Sequence, residues 1–256
     1  TSATSATSAT AATVAAPLIL RDKQGRPLAR RAADRTQTLR HAVQVGFAVL
    51  NVWIGIEFYR WVRFYETAGQ GARVDRPAGV EGWLPIAGLM NLKYWILTWD
   101  VPEIHAAGMF LLVAFLGISW VLRKAFCSWL CPIGALSELL WEGGREMFGR
   151  NVSLPRWIDL PLRSLKYILF GLFFYAIAQM STADLKAFLY TPYGLVADVK
   201  MLDFFRAMGR TSAMVIGVLL VASLFVKNVW CRYLCPYGAM LGLVALVSPT
   251  RIRRTA

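Results

Sequence analysis

The chain has 256 residues, 57% hydrophobic and 17% charged, with 28 Lys and Arg against 15 Asp and Glu for a net charge of +13. Soluble domains hold nearer half apolar and a quarter charged residues, so the composition excludes a soluble enzyme built around one polar cleft and points to a membrane protein. The bases lie between long apolar runs, where they orient membrane helices rather than hold nucleic acid, and four Cys are too few to build a disulfide scaffold of this length.

Residues 1–10 repeat Thr-Ser-Ala three times and add a Thr. Such a stretch cannot bury a core, and with no basic region joined to an apolar one it does not read as a signal peptide. Residues 1–36 are therefore expected to form a flexible basic tail. Four apolar runs follow that approach the ~20 residues a helix needs to span a bilayer: residues 39–61, 104–122, 165–180 and 213–229. The apolar segment 83–99 is interrupted by Pro85 and Lys93 and is expected at the interface. The shorter run 237–247 is expected to be interfacial or re-entrant. With the N-terminus inside, the inner segments carry 19 bases against 6 acids and the outer segments 9 against 8. The positive-inside rule then puts both termini in the cytoplasm.

The chain also repeats itself. Phe126-Cys127-Ser128-Trp129-Leu130-Cys131-Pro132-Ile133-Gly134-Ala135 aligns without gaps on Trp230-Cys231-Arg232-Tyr233-Leu234-Cys235-Pro236-Tyr237-Gly238-Ala239. Upstream, Pro85 precedes Lys93 as Pro192 precedes Lys200. The expected fold is an all-α membrane protein of four transmembrane helices in two parallel internal repeats, with short interfacial or re-entrant helices. Residues 37–150 form the first repeat; residues 151–256 hold a linker and the second.

All four cysteines belong to the repeated motif. Cys127 and Cys131, like Cys231 and Cys235, stand at i and i+4 and share a helical face. Together they supply four thiolates at one membrane boundary, the usual ligand set of an iron–sulfur cluster. Pro after the second Cys suits the first turn of a following helix, whose amides and dipole would face an anionic cluster. Arg123, Lys124, Lys227 and Arg232 add compensating charge nearby. Other readings of the same residues are small packing side chains, a structural Zn²⁺, copper held by soft thiolates and a thiol–disulfide couple, which the reducing cytoplasm disfavours.

Haem is not expected. The two histidines, His41 and His105, open different spans on opposite sides, and no Cys-x2-Cys-His is present. Around the Pro-x7-Lys segments, Trp83, Tyr94, Trp95 and Trp99 suit an interfacial anchor. The functional alternative is a quinol pocket in which Glu81, Lys93, His105 or Lys200 serve, with Glu103 also at hand. Glu57 lies within the first span, where it either serves function or pairs with Arg60.

These motifs give the chain a resemblance to the NosR/NapH family of polytopic iron–sulfur membrane proteins. It is carried by residues 76–85 (Arg-Pro-Ala-Gly-Val-Glu-Gly-Trp-Leu-Pro), by Leu92-Lys93-Tyr94-Trp95 and by both Cys-x3-Cys-Pro motifs, and with the span pattern covers residues 38–254. The resemblance implies a membrane electron-transfer subunit of an oxidoreductase in the bacterial inner membrane. Such a subunit passes electrons between quinol and a ferredoxin-like or cytochrome partner, with Cys127, Cys131, Cys231 and Cys235 as the ligands of a [4Fe-4S] cluster. Neither a ferredoxin-like segment with its own cluster motifs nor a flavin-binding domain is found in these residues, so the membrane part alone is expected. The rival functions are a copper-handling or redox-thiol maturation protein and a structural anchor for a redox complex.

Overall fold

The computed structural model describes residues 35–123, 125–148 and 154–250, with the side chains of Arg35 and Thr36 left aside. The predicted tail up to residue 34, Lys124 and the last bases of the chain lie outside the described residues. Those described are helical or irregular, with no strand among them.

α1 (Arg35–Glu66) and α5 (Arg156–Gln179) are the two helices long and apolar enough to cross a membrane. Their outer faces are bare: Val45, Val49 and Trp53 on α1 and Leu160, Leu172 and Tyr175 on α5 are exposed, as a lipid-facing belt requires. α8 (Ala197–Arg206) and α9 (Arg210–Phe225) reach the same standard only together, and the chain bends by 82° between them. α3 (Ala106–Leu122) is strongly apolar, but its 17 residues make about 25 Å, short of the ~30 Å hydrocarbon core. By length and composition the described residues thus hold two spans, or three if the bent pair counts as one, where the sequence leads one to expect four. The windows at 104–122 and 213–229 fall short because their helices run only 17 and 16 residues.

Proline sets several of the helix starts. Pro85 opens α2 (Pro85–Thr98), Pro132 opens α4 (Pro132–Phe148), Pro192 opens α7 (Pro192–Leu195) and Pro236 opens α10 (Pro236–Leu246), positions where a missing N–H costs nothing. α6 (Thr182–Leu189) starts on a reciprocal Ser181–Asp184 capping box. The segment expected at the interface is α2, preceded by a 3₁₀ turn at Ala78–Trp83. α2 packs along α3 and α6 and buries Gly88, Met90, Asn91 and Tyr94.

Two apolar clusters hold the outer end. Met90, Tyr94, Ile177 and Leu185 join α2, α5 and α6; Phe58, Val62 and Val80 pack with Val199 and Leu202 of α8. Nearer the cysteines the packing is crossed. α3 lies against α10, and α4 against α9, so each helix after a Cys motif rests on the helix that precedes the other motif. Ser119 of α3 donates to the Leu241 carbonyl of α10 (2.9 Å). At the α4–α9 crossing a Cβ on Gly144 would collide with the Leu224 carbonyl. All of these contacts lie within one compact unit, Leu39–Ala256.

Candidate iron–sulfur centre

Each Cys motif makes one π-turn, Phe126–Leu130 and Trp230–Leu234. The Cys131 amide donates to the Phe126 carbonyl five residues back (3.0 Å), and the Cys235 amide does the same to Trp230 (2.9 Å). Single π-turns recur at functional sites because the widened turn re-aims its side chains. The chain then turns at the second cysteine, whose carbonyl accepts the first bond of the next helix, from Ala135 at 3.0 Å and from Ala239 at 3.1 Å. The Gly238 amide donates to Cys235 Sγ at 3.2 Å, and the amides of Ile133 and Gly134 are directed in the same way at Cys131. Both second cysteines therefore sit in the cap of a helix N-terminus, where backbone dipoles favour negative charge.

The four thiols converge. None is in a disulfide, and Cys127, Cys131 and Cys235 all lie close enough to Cys231 to act on its charge. Burial pushes the Cys231 thiol up to about 12, with those three sulfurs adding to the shift. Burial also raises Cys131 and Cys235, against the pull of the helix amides. Lys166 on α5 is the cation that bears on Cys231 and Cys235. Four thiolates would repel one another here unless a metal centre took up their charge. Among the described residues no three His, Cys, Asp or Glu side chains are grouped tightly enough to hold a single metal ion. A lone Zn²⁺ draws each sulfur to ~2.3 Å, whereas a four-iron cluster gives each thiolate its own iron and needs them further apart. The donor set fits the cluster.

Both long helices anchor to these motifs towards their N-terminal ends. In the first half, Gln44 donates to the Ser128 carbonyl (3.0 Å) and to Glu138 (3.2 Å), and Arg40 pairs with Glu138 (2.7 Å). In the second, Asp159 of α5 takes Arg232 and the Tyr233 hydroxyl, each at 2.7 Å, with Arg163 at 2.6 Å. The cations expected beside the sulfurs are engaged elsewhere: Arg123 donates to the Thr250 carbonyl, Lys227 lies 4.3 Å above the Trp141 ring, and Arg232 holds Asp159. Lys166, Asp159, Gln44 and Glu138 were missed by the sequence reading, for no local motif marks them.

The outer-end candidates separate. Glu81 and His105 come together, Oε1 to Nδ1 at 3.4 Å. Lys93 instead donates to the carbonyls of Ile177, Ala178 and Met180 (2.9, 2.9 and 2.6 Å) and caps the end of α5, which uses all three of its donors. Lys200 is exposed on α8. Arg60 pairs with Glu57 at 3.2 Å, the bland alternative for that carboxylate. His41 is exposed on α1.

The 4Fe-4S binding domain family matches the chain twice, over residues 104–155 and 209–255, so that each match holds one π-turn and its two cysteines. The chain is similar to the NosR/NapH-type 4Fe-4S binding proteins. It is 55% identical to YccM of Escherichia coli K12 over 219 residues, which is 86% of this chain and 61% of YccM. It is 36% identical to the regulatory protein NosR of Pseudomonas aeruginosa over 140 residues, 54% of this chain and 19% of NosR. The ferredoxin-type protein NapH of Escherichia coli K12 is 25% identical over 123 residues, 48% of this chain and 38% of NapH. The chain thus spans less than two thirds of these relatives. No solved structure matches it.

Proposed function

We propose that the chain is an integral membrane electron-transfer subunit in which Cys127, Cys131, Cys231 and Cys235 together hold one [4Fe-4S] cluster at the cytoplasmic boundary. The observation that carries this reading is the convergence of all four thiols, two from each repeat, with helix-terminal amides directed at Cys131 and Cys235. When bound, such a cluster supplies one-electron chemistry. The chain's residues hold it: the thiols ligate, the amides and Lys166 offset negative charge, and Phe115, Phe126 and Tyr237, with ring centroids 4.2 to 6.2 Å apart, keep the site partly dry.

The membrane reading takes α1, α3, α5 and α9 as four spans of two parallel repeats in the bacterial inner membrane, with both termini cytoplasmic. It is supported by the charge asymmetry and the bare apolar faces of α1 and α5. A quinol pool on one side and a ferredoxin-like or cytochrome partner on the other complete the path, with Glu81 and His105 as the quinol-side pair. The electron-transport description that YccM carries and the ferredoxin type of NapH agree with this.

The test is metal and sulfide analysis of the anaerobically purified full chain. Iron with acid-labile sulfide in near-equal amounts is expected. Stoichiometric copper without sulfide would replace this reading with metal handling, and no metal at all with a structural anchor. Reporter fusions after Ala256 are expected to be active only as cytoplasmic reporters.

A further inference from the structure

The buried outer end holds more charge than a structural network needs. Asp198 is fully buried at the start of α8, and Arg76 Nη2 lies 2.7 Å from its Oδ2. The same guanidinium nitrogen is 3.2 Å from His105 Nδ1, and Arg76 reaches Glu81 Oε1 at 3.6 Å. Glu81 Oε2 accepts from the Gly108 amide at 3.0 Å. Two carboxylates therefore share one guanidinium, and with a neutral imidazole the group carries one uncompensated negative charge on buried carboxylates, with Arg76 alone partly exposed, a costly state. Arg76 Nε and Asn91 Oδ1 have no hydrogen-bond partner, and Asp198 Oδ2 is met only by the Arg76 ion pair.

His105 is the group built to resolve this. Its Nε2 is 2.8 Å from the Gly194 carbonyl and must carry a proton to donate there. Its Nδ1 lies almost equally far from a donor, Arg76, and an acceptor, Glu81. Bare, Nδ1 accepts from Arg76; protonated, it donates to Glu81 and leaves Arg76 to Asp198. The ring is held by its burial and by the Gly194 carbonyl, on a residue in a left-handed backbone conformation, φ +56°. Asn91 holds that turn, donating to the Ile104 and His105 carbonyls at 2.8 and 3.0 Å.

We propose that Arg76, Glu81, His105 and Asp198 form a proton-binding site, one proton per molecule, shared between the two halves of the chain. The proton on Nδ1 brings the buried charge to zero, and its arrival releases Arg76 from His105 while the ion pair with Asp198, already at 2.7 Å, remains. The groups that face the ring are Glu81 from the 3₁₀ turn, Arg76 from the loop before it, Asp198 from α8 and the Gly194 carbonyl from α7, with Asn91 of α2 on the His105 carbonyl. The next charges along the chain, Glu103 and Lys200, are exposed. Burial alone favours the neutral ring, but Glu81 and the Gly194 carbonyl outweigh it and raise the ring above its usual 6.5. The site stands on this geometry and goes beyond the iron–sulfur reading.

The chain has only two histidines, which makes the test direct. The full chain carrying His41→Gln, labelled with ¹⁵N-histidine and held in lipid nanodiscs, gives one imidazole to titrate by NMR. A midpoint above 6.5 is expected, and one at or below it overturns the proposal without any further variant. Asp198→Asn removes a negative charge and is expected to weaken proton binding about tenfold; Arg76→Gln removes a positive one and is expected to strengthen it about tenfold. Arg76→Lys keeps the charge and is expected to restore the midpoint. Shifts in the same direction for Asp198→Asn and Arg76→Gln, or none, would sink the shared site, and metal analysis of the same samples reads the cluster separately.

Discussion

The Cys127–Cys131 and Cys231–Cys235 stretches fold alike, residue for residue, while the segments upstream of them diverge. Both motifs make a π-turn closed by an i to i+5 bond, both place the second cysteine in a helix cap, and both are tied towards the N-terminal end of a long helix. At the outer end the symmetry fails. Lys93 is engaged with two carbonyls of α5 and that of its cap, Met180, whereas Lys200 at the matching place is exposed. Asn91 and Asp198, each six residues after the matching proline, are both fully buried, yet one braces a turn and the other meets Arg76. A centre with four equivalent donors needs both copies kept alike; a site for one charge needs only one of each residue.

The sharpest way to break this comparison is to remove one sulfur from each half. On the shared-cluster proposal, Cys127→Ser and Cys231→Ser are each expected to abolish the same visible absorbance and EPR signal completely. Separate signals lost by the two variants would mean separate sites.

The motifs differ in one detail that alanine should expose. A Cβ on Gly134 would collide with the Cys127 carbonyl, while on Gly238 its nearest neighbour is the Cys231 carbonyl at 3.6 Å, an ordinary contact. Gly134→Ala is expected to cost about 3 kcal/mol, the upper range for an overpacked site, and to lower cluster content. Gly238→Ala should stay within about 0.5 kcal/mol. Equal thermal shifts would show that the two turns are not held as described.

The lysines give a smaller contrast of the same kind. Lys93→Met leaves two α5 carbonyls and that of its cap without their donor and is expected to cost about 2 kcal/mol, the scale of a hydrogen bond from a charged group. Lys200→Met should change thermal stability by no more than about 0.5 kcal/mol.

The smallest effect expected is in the anchors' pH response. Burial raises the Glu138 carboxyl, but hydrogen bonds from Arg40 and Gln44 and the charges of Arg40 and Lys227 outweigh it, leaving it below its usual 4.5. A depressed carboxyl contributes stability above the unfolded value, and that contribution is lost as pH falls through the lower folded one. Glu138→Gln is therefore expected to flatten the acid limb of a stability-against-pH curve by lowering neutral melts slightly, while melts below the folded carboxyl value stay nearly unchanged.

Much of this was legible in the residues. The helical class follows from the apolar runs, and the four sulfurs from a duplicated motif in which they are the chain's only cysteines. The π-turns were not legible, since spacing at i and i+4 is equally that of an α-helix and the extra residue shows only in the bonds to Phe126 and Trp230. Nor were the partners of Lys93 and Asp159, which come from elements more than 70 residues away. Asp198 shows the limit best: alone in sequence it is one acid on a polar helix, and only the approach of the loop at Arg76 gives it a role.

The crossed packing of α3 on α10 and α4 on α9 has a consequence for how the protein is made. While the ribosome is still adding the second half, α3 and α4 have their chain-mates missing and two of the four sulfurs do not yet exist. On the shared-cluster proposal the centre fills only after Cys235 has emerged and α10 has reached α3, so cofactor loading follows synthesis of both motifs. An unfinished chain would present one half of the binding place, with its apolar seam open to chaperones and proteases.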